Sequence, residues 1–352
     1  MSKVSELSLF FGLLRNGLWK ETNLIPQIEN EVWDSIYSIS ESQGVLGLIT
    51  DGIEKSNLNL PLNKKLLFVG AALQIEHRNR AMNVFIADIV ERMRAQGINT
   101  LLVKGQGVAQ CYEKPLWRPS GDVDFLLSED NYKKAKEFLL PLSSVNKPDE
   151  KYSKHLGMNI DQWYVEIHGT LRTGLSTRLD REVDDNQDGV FLGGNVRSWD
   201  NHGVQVFLPA PNEDVFFVFT HFIKHFYKEG MSLRQVCDWC RLLWTYRSEV
   251  DLRLLEKRLR GAGLIREWKA FATLAVKHLG MPAEAMPFYD DRCKKDDRRG
   301  NQLMDFILKG YSGSKVKDTC QIAKIFPWKV IRYSPSIFLN VNWLKIKERL
   351  CF

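Results

Sequence analysis

The run Asp122-Val123-Asp124-Phe125-Leu126-Leu127 alternates carboxylate and apolar residues, and that alternation has the period of a strand. A period of two sends Asp122 and Asp124 to one face while Val123 and Phe125 enter a core. Neighbouring carboxylates repel and are costly to bury, so such a pair belongs at a solvated edge or around a cation. A second run, Trp163 to His168, alternates Trp163, Val165 and Ile167 with Tyr164, Glu166 and His168. Glu166 and His168 therefore share a face, and Glu166 is a third carboxylate for the same space.

Upstream, Ile98 to Val103 reads as a short buried strand, and Gly97 before it supplies a helix stop. Lys104 stands where that strand ends, followed by Gly105-Gln106-Gly107, whose glycines let the backbone turn sharply or approach a ligand's oxygens. The Lys-Gly turn is a candidate phosphate cradle. A hard dication such as magnesium takes oxygen ligands, usually carboxylates and substrate phosphates, so Asp122, Asp124 and Glu166 are the expected metal ligands and catalytic residues. Arg118, four residues before Asp122, can pair with it or receive phosphate oxygens. Taken alone, the Asp-x-Asp also fits a surface pair with Arg118 as its counter-charge. Gln110 stands where a dinucleotide fingerprint needs its third glycine, and GxxxxGK[ST] is absent from the sequence, so Rossmann and P-loop sites are excluded.

The order of these pieces, an apolar strand, Lys104-Gly105, then Tyr112, Pro115, Arg118, Asp122 and Asp124, then Glu166 and His168, resembles the uncharacterised bacterial nucleotidyltransferases of the polymerase-β-like superfamily. The resemblance spans roughly residues 60 to 245. It implies a small mixed sheet with helices, magnesium (or manganese), and transfer of a nucleoside monophosphate from a nucleoside triphosphate to a hydroxyl-type acceptor. Lys104, Gly105, Gly107, Arg118 and His168 are the expected triphosphate-side residues, with His168 in a supporting role. Lys-Gly stands where the wider superfamily has Gly-Ser. The acceptor is a small molecule or a protein; a protein-modifying, AMPylation-type transferase and a non-catalytic nucleotide-binding module are the alternative readings. The same resemblance brings His221, Lys224, His225 and Asp238 to the cleft from its C-terminal side.

The fold expected is α+β: an N-terminal helical region (1–96), a nucleotidyltransferase core (97–210) and a C-terminal helical region with a basic tail (211–352). Residues 82–93 carry Met82, Phe85, Ile89 and Met93 at helical spacing, Ser128 heads a helix, and residues 211–226 read as a buried helix with Asn212 as cap. Residues 143–160 and 173–203, rich in Ser, Asn, Asp and Gly, read as loops and edge strands.

The chain has 352 residues, 44% hydrophobic and 26% charged, enough for a sizeable core, and no apolar run approaches the ~18 to 20 residues that span a bilayer. A signal peptide is not expected, and six scattered cysteines fit a reducing cytoplasm. His221, His225, Cys237 and Cys240 have zinc-ligand spacing but also read as core residues of two helices, and no structural zinc is expected there. From Cys320 onward there are six Lys or Arg and one acid, interleaved with aromatics. That tail suits a peripheral membrane contact or packing on the core; nucleic acid is not an expected partner.

Overall fold

The computed structural model describes residues 3–19, 32–56, 58–146 and 154–333. It is mixed α+β, as expected, with a small mixed sheet between two sets of helices. Helices α1 (Lys3–Leu18), α2 (Trp33–Ser42), α3 (Leu46–Lys55) and α4 (Leu62–Ala95) lead into β1 (Leu101–Val103) and a short helix, α5 (Gly105–Ala109). There follow β2 (Asp122–Leu126), α6 (Glu129–Leu139), β3 (Ser143–Asn146), β4 (His155–Ile160) and β5 (Trp163–His168). Helix α7 (Thr177–Phe191) and the hairpin β6 (Val196–Asn201) and β7 (Val204–Pro209) come next. The C-terminal helices are α8 (Pro211–Lys228), α9 (Leu233–Thr245), α10 (Leu252–Ala262), α11 (Ile265–Leu279), α12 (Lys294–Lys309), α13 (Lys315–Ile325) and α14 (Pro327–Tyr333).

The strand order is β1-β2-β5-β4-β3, with β2 and β5 parallel and the other pairs antiparallel. Parallel partners need a long crossover, and α6, β3 and β4 together form it. The inner face of the sheet, Val123, Phe125, Val165 and Ile167, packs on Met82, Ile86, Ile89 and Met93 of α4. That helix ends as the glycine predicts: Gly97 has φ 68°, Gly97 N–H donates to Arg94 O and Ile98 N–H to Met93 O. A second cluster joins α1 and α3 to the C-terminal helices, centred on Phe219, Phe222 and Phe226 of α8 against Trp239, Trp268 and Phe271. Its aromatic residues bury α8 except along one face, which carries His221, Lys224, His225 and Lys228.

Residues 173–203 differ from the loop reading. Leu179, Val183, Asn186 and Val190 are buried at spacings of four, three and four along α7, and Ser176 caps it by accepting from Leu179 N–H. At α8 the cap position is Ala210, because Pro211 takes the first helical turn; Asn212 Oδ1 instead accepts from Asp251 N–H. Of the basic tail, residues 334–352 lie outside the described residues. Its described part packs on the core in part: Val330 and Tyr333 are buried and Lys329 Nζ lies 3.1 Å from buried Glu267, whereas Trp328 stands exposed.

Helices α1 and α3 cross at reciprocal glycines. A methyl on Gly17 would stand 2.0 Å from Leu48 O, and one on Gly52 2.0 Å from Leu13 O. Gly47 has the same relation to Trp117 O, which pins α3 to the segment that carries Arg118. Backbone cannot move aside as a side chain can. Gly52→Ala should therefore destabilise the protein by about 1–3 kcal/mol through overpacking. Gly70→Ala on α4, where no atom lies within 4 Å, should be neutral or stabilising by up to about 1 kcal/mol. Urea unfolding of the two variants checks the contrast.

Candidate functional site

Parallel pairing of β2 and β5 sets Asp122 beside Tyr164, Asp124 beside Glu166 and Leu126 beside His168. Side chains of paired residues point to the same face, so the carboxylates converge. Oxygens of Asp122, Asp124 and Glu166 all lie within 4.8 Å of one another, a donor set of the kind hard dications take. They line a cavity of about 850 Å³ whose floor is the sheet and whose far wall is α8 and α9.

The charges within it are unequal. Asp124 is 3% exposed, and its Oδ1 is met at 2.8 Å by both Lys104 Nζ and His168 Nε2. Burial opposes its ionisation, but Lys104 and His168 outweigh that and hold the carboxyl well below the usual range. Asp122, open to solvent at the cleft, behaves oppositely: partial enclosure and the charge of Asp124 raise it above its ordinary value. Glu166 is pulled below the usual range, since the nearby His155 and His168 outweigh burial and the repulsion of Asp124. Burial works against the Lys104 ammonium, yet Asp124 keeps it above its ordinary value. Burial holds His168 below its own despite Asp124.

Lys104 adopts φ 60° and ψ −148°, a region essentially reserved for glycine. The expected Lys-Gly turn is thus a strained residue heading the single turn of α5. Gly105 lines the cavity, facing Ser120 Oγ and Asp122 O; Gly107 instead packs under Leu208 of the hairpin, where a methyl would come within 2.8 Å.

Arg118 does not pair with Asp122. Its guanidinium donates through Nε and Nη2 to the two oxygens of Asp238 on α9, each at 2.7 Å, and Tyr112 Oη donates to the same carboxylate. The pair is buried, and Arg118 overrides the desolvation of Asp238 to hold its carboxyl low. Asn79 of α4 donates to Leu116 O and Arg118 O, and Gln106 donates to Asn79 Oδ1. The segment before Asp122 is thereby fixed from two helices, α4 and α9, with Gln106 of α5 bracing Asn79.

On the far wall, His221, Lys224, His225 and Lys228 come from one face of α8. His221 Nε2 and His225 Nε2 are 3.1 Å apart, and burial with nearby Lys104 holds His221 well below its ordinary value. Cys237 and Cys240 are fully buried in α9, with burial pushing both thiols up. Neither joins His221 or His225 in a metal-ligating cluster among the described residues.

His155 escaped the sequence reading. It pairs with His168 across β4 and β5, and its ring stacks on that of His168 with centroids 4.7 Å apart and planes 6° apart. The only signal was its spacing from Glu166 across a hairpin whose register the sequence did not reveal.

The sequence matches the family described as uncharacterised nucleotidyltransferase over residues 29–280. The chain belongs to that family. The matched span contains every residue named above for the cleft. No curated protein matches. Among solved structures, an antigenic nucleotidyltransferase-like protein from Paracoccidioides brasiliensis is 11% identical, covering 53% of this chain and 87% of its own at a TM-score of 0.33, too distant to add to the family assignment. Among the described residues no helix is long and apolar enough to cross a membrane.

The unequal carboxylates carry opposite stability consequences. Asp122→Asn relieves repulsion and should raise the melting temperature at pH 7. Asp124→Asn leaves Lys104 without its partner and should cost about 1–3 kcal/mol. The pH signs also differ. The contribution of Asp124, whose folded value is depressed, is complete above its ordinary value of 3.8 and is lost as pH falls below it. The penalty at Asp122, whose folded value is raised, begins to shrink as pH falls through that raised value and is gone below the ordinary value of 3.8. Thermal melts of both variants from pH 7 to pH 3 check this.

Proposed function

We propose that the protein transfers a nucleoside monophosphate from a nucleoside triphosphate to a hydroxyl-type acceptor, releasing pyrophosphate. The observation that carries this is the convergence of Asp122, Asp124 and Glu166, their oxygens within 4.8 Å of one another, on a cavity of about 850 Å³. A cavity of that size accommodates a nucleotide. The donor set is all carboxylate, which fits magnesium: Asp122, Asp124 and Glu166 would hold the dications, and these supply charge neutralisation at the phosphates.

The chain's own part is positioning and proton handling. The acceptor oxygen attacks the α-phosphorus in line, the bond to the pyrophosphate oxygen breaks, and pyrophosphate leaves with the electron pair. Glu166, ionised and on the cleft floor, accepts the acceptor's proton. Lys104 is the residue that changes partner. In the absence of substrate its ammonium neutralises Asp124; with the triphosphate bound it turns to the non-bridging oxygens, a compact charge suited to them. Its strained backbone holds the side chain at the cleft edge for that exchange. Lys224 and Lys228 face the cavity from α8 and meet the outer phosphates. Arg118, already committed to Asp238, acts by fixing the wall rather than by touching phosphate.

Purified protein with magnesium and each of the four triphosphates should release pyrophosphate from at least one, and Glu166→Gln should abolish it. Absence of release together with wild-type triphosphate binding in Glu166→Gln would leave a binding module. Mass analysis of a labelled product separates a protein acceptor from a small one. Lys104→Met should weaken magnesium-triphosphate binding by about 1–3 kcal/mol, the range of a charged hydrogen bond, while strengthening the binding of magnesium alone. Calorimetry reads both, and unchanged triphosphate affinity would remove Lys104 from the triphosphate site.

A further inference from the structure

Glu166 faces two ligand sets. On one side stand Asp122 and Asp124; on the other stand His155 and His168, each with a ligand atom within 4.8 Å of the others and of Glu166. His155 Nε2 lies 3.1 Å and His168 Nε2 3.5 Å from Glu166 Oε2. Stacking of the two rings at 4.7 Å brings both ε nitrogens to the same oxygen from the same direction.

Hydrogen bonding alone does not account for this arrangement. His168 Nε2 already has Asp124 Oδ1 at 2.8 Å, and His155 Nε2, though buried and close to Glu166, is not aligned for a hydrogen bond with any acceptor. Buried polar nitrogens normally have a partner. Two parallel imidazoles and one carboxylate oxygen, converging from adjacent strands, are the donors that first-row transition ions prefer. Magnesium, which demands oxygen, gains little from them.

We propose that His155, Glu166 and His168 form a second divalent-metal site, selective for a transition ion of the zinc class, with Glu166 shared between it and the carboxylate set. Loading the site exchanges the His168 to Asp124 hydrogen bond for a metal bond and leaves Lys104 as the remaining partner of Asp124 Oδ1. The site sits at the edge of the cleft, where β4 meets β5, and its ligands exist whether or not nucleotide transfer occurs. Its failure and that of the transfer reading are therefore separable.

The test titrates metal-free full-length protein with zinc by calorimetry and with cobalt by visible absorption, in wild type, His155→Asn, His155→Cys and Asp122→Asn. His155 is partly exposed at a strand end, and thermal melts verify that its variants fold. Wild type should bind zinc far more tightly than magnesium. His155→Asn should weaken zinc by more than about a hundredfold, beyond what loss of an outer partner costs, and should change the cobalt bands. His155→Cys, which restores a metal-binding side chain, should retain zinc. Zinc affinity unchanged in His155→Asn, or lost to the same extent in Asp122→Asn, would overturn the proposal, the second outcome by placing the ion among the carboxylates. Should His155→Asn not fold, His155→Cys decides: it must bind zinc with altered cobalt bands, and loss of zinc there overturns the site. Magnesium-triphosphate binding measured on the same samples reports separately on the transfer reading.

Discussion

The cleft depends on one register, the parallel pairing of β2 with β5 that sets Asp124 beside Glu166. A shift by one residue would send every carboxylate into the packing of α4 and every valine into the cleft. The register is held because Val123, Phe125, Val165 and Ile167 are all fully buried against that helix, so slipping would expose them. The crossover that makes the pairing parallel also delivers β4, and with it His155, to the far side of Glu166. Convergence of like charges follows from apolar packing on the opposite face, and Lys104 and His168 then make it tolerable.

The buried pair of Arg118 and Asp238 has a different task. Replacing a buried ion pair by apolar residues often costs nothing, so its presence is weak evidence of stabilisation. What it does here is geometric. It joins α9 to the segment entering β2, while Asn79 holds the same segment from α4 and is itself braced by Gln106 of α5. The wall opposite the sheet is thereby tied to the floor by directional bonds, which apolar contact does not provide.

Much of this was legible in the sequence, and for local reasons. The alternation in β2 and β5, the spacing of Met82 to Met93, the Gly97 stop and the apolar α8 are all patterns whose period reports directly on a face. Helix α7 was also written in the sequence, in Leu179, Val183 and Val190, but its Asp-rich solvent face masked the period. Three features were out of reach because they are decided by distant contacts. His155 meets Glu166 through strand pairing, Arg118 finds Asp238 across 120 residues, and Gly107 is small because Leu208 lies over it. The strain at Lys104 was hidden as well, since the glycine after it accounts for a left-handed turn by itself and gives no sign that the lysine shares the positive φ.

Helix α4 belongs to both apolar clusters. Phe68 near its start packs against Trp33 and Tyr37 of α2, Met82 to Met93 pack under the sheet, and Asn79 between them grips the loop before β2. At about 1.5 Å per residue its 34 residues form a rod roughly 50 Å long. Only Phe68 and Ala72 are buried before Asn79, and Leu62 and Leu66 stand in solvent, so the rod is anchored beneath the sheet and at Asn79 rather than along its whole length. The floor of the cleft is thus built on the enclosed end of a helix whose other end reaches out into water, and Asn79 marks where the enclosure begins.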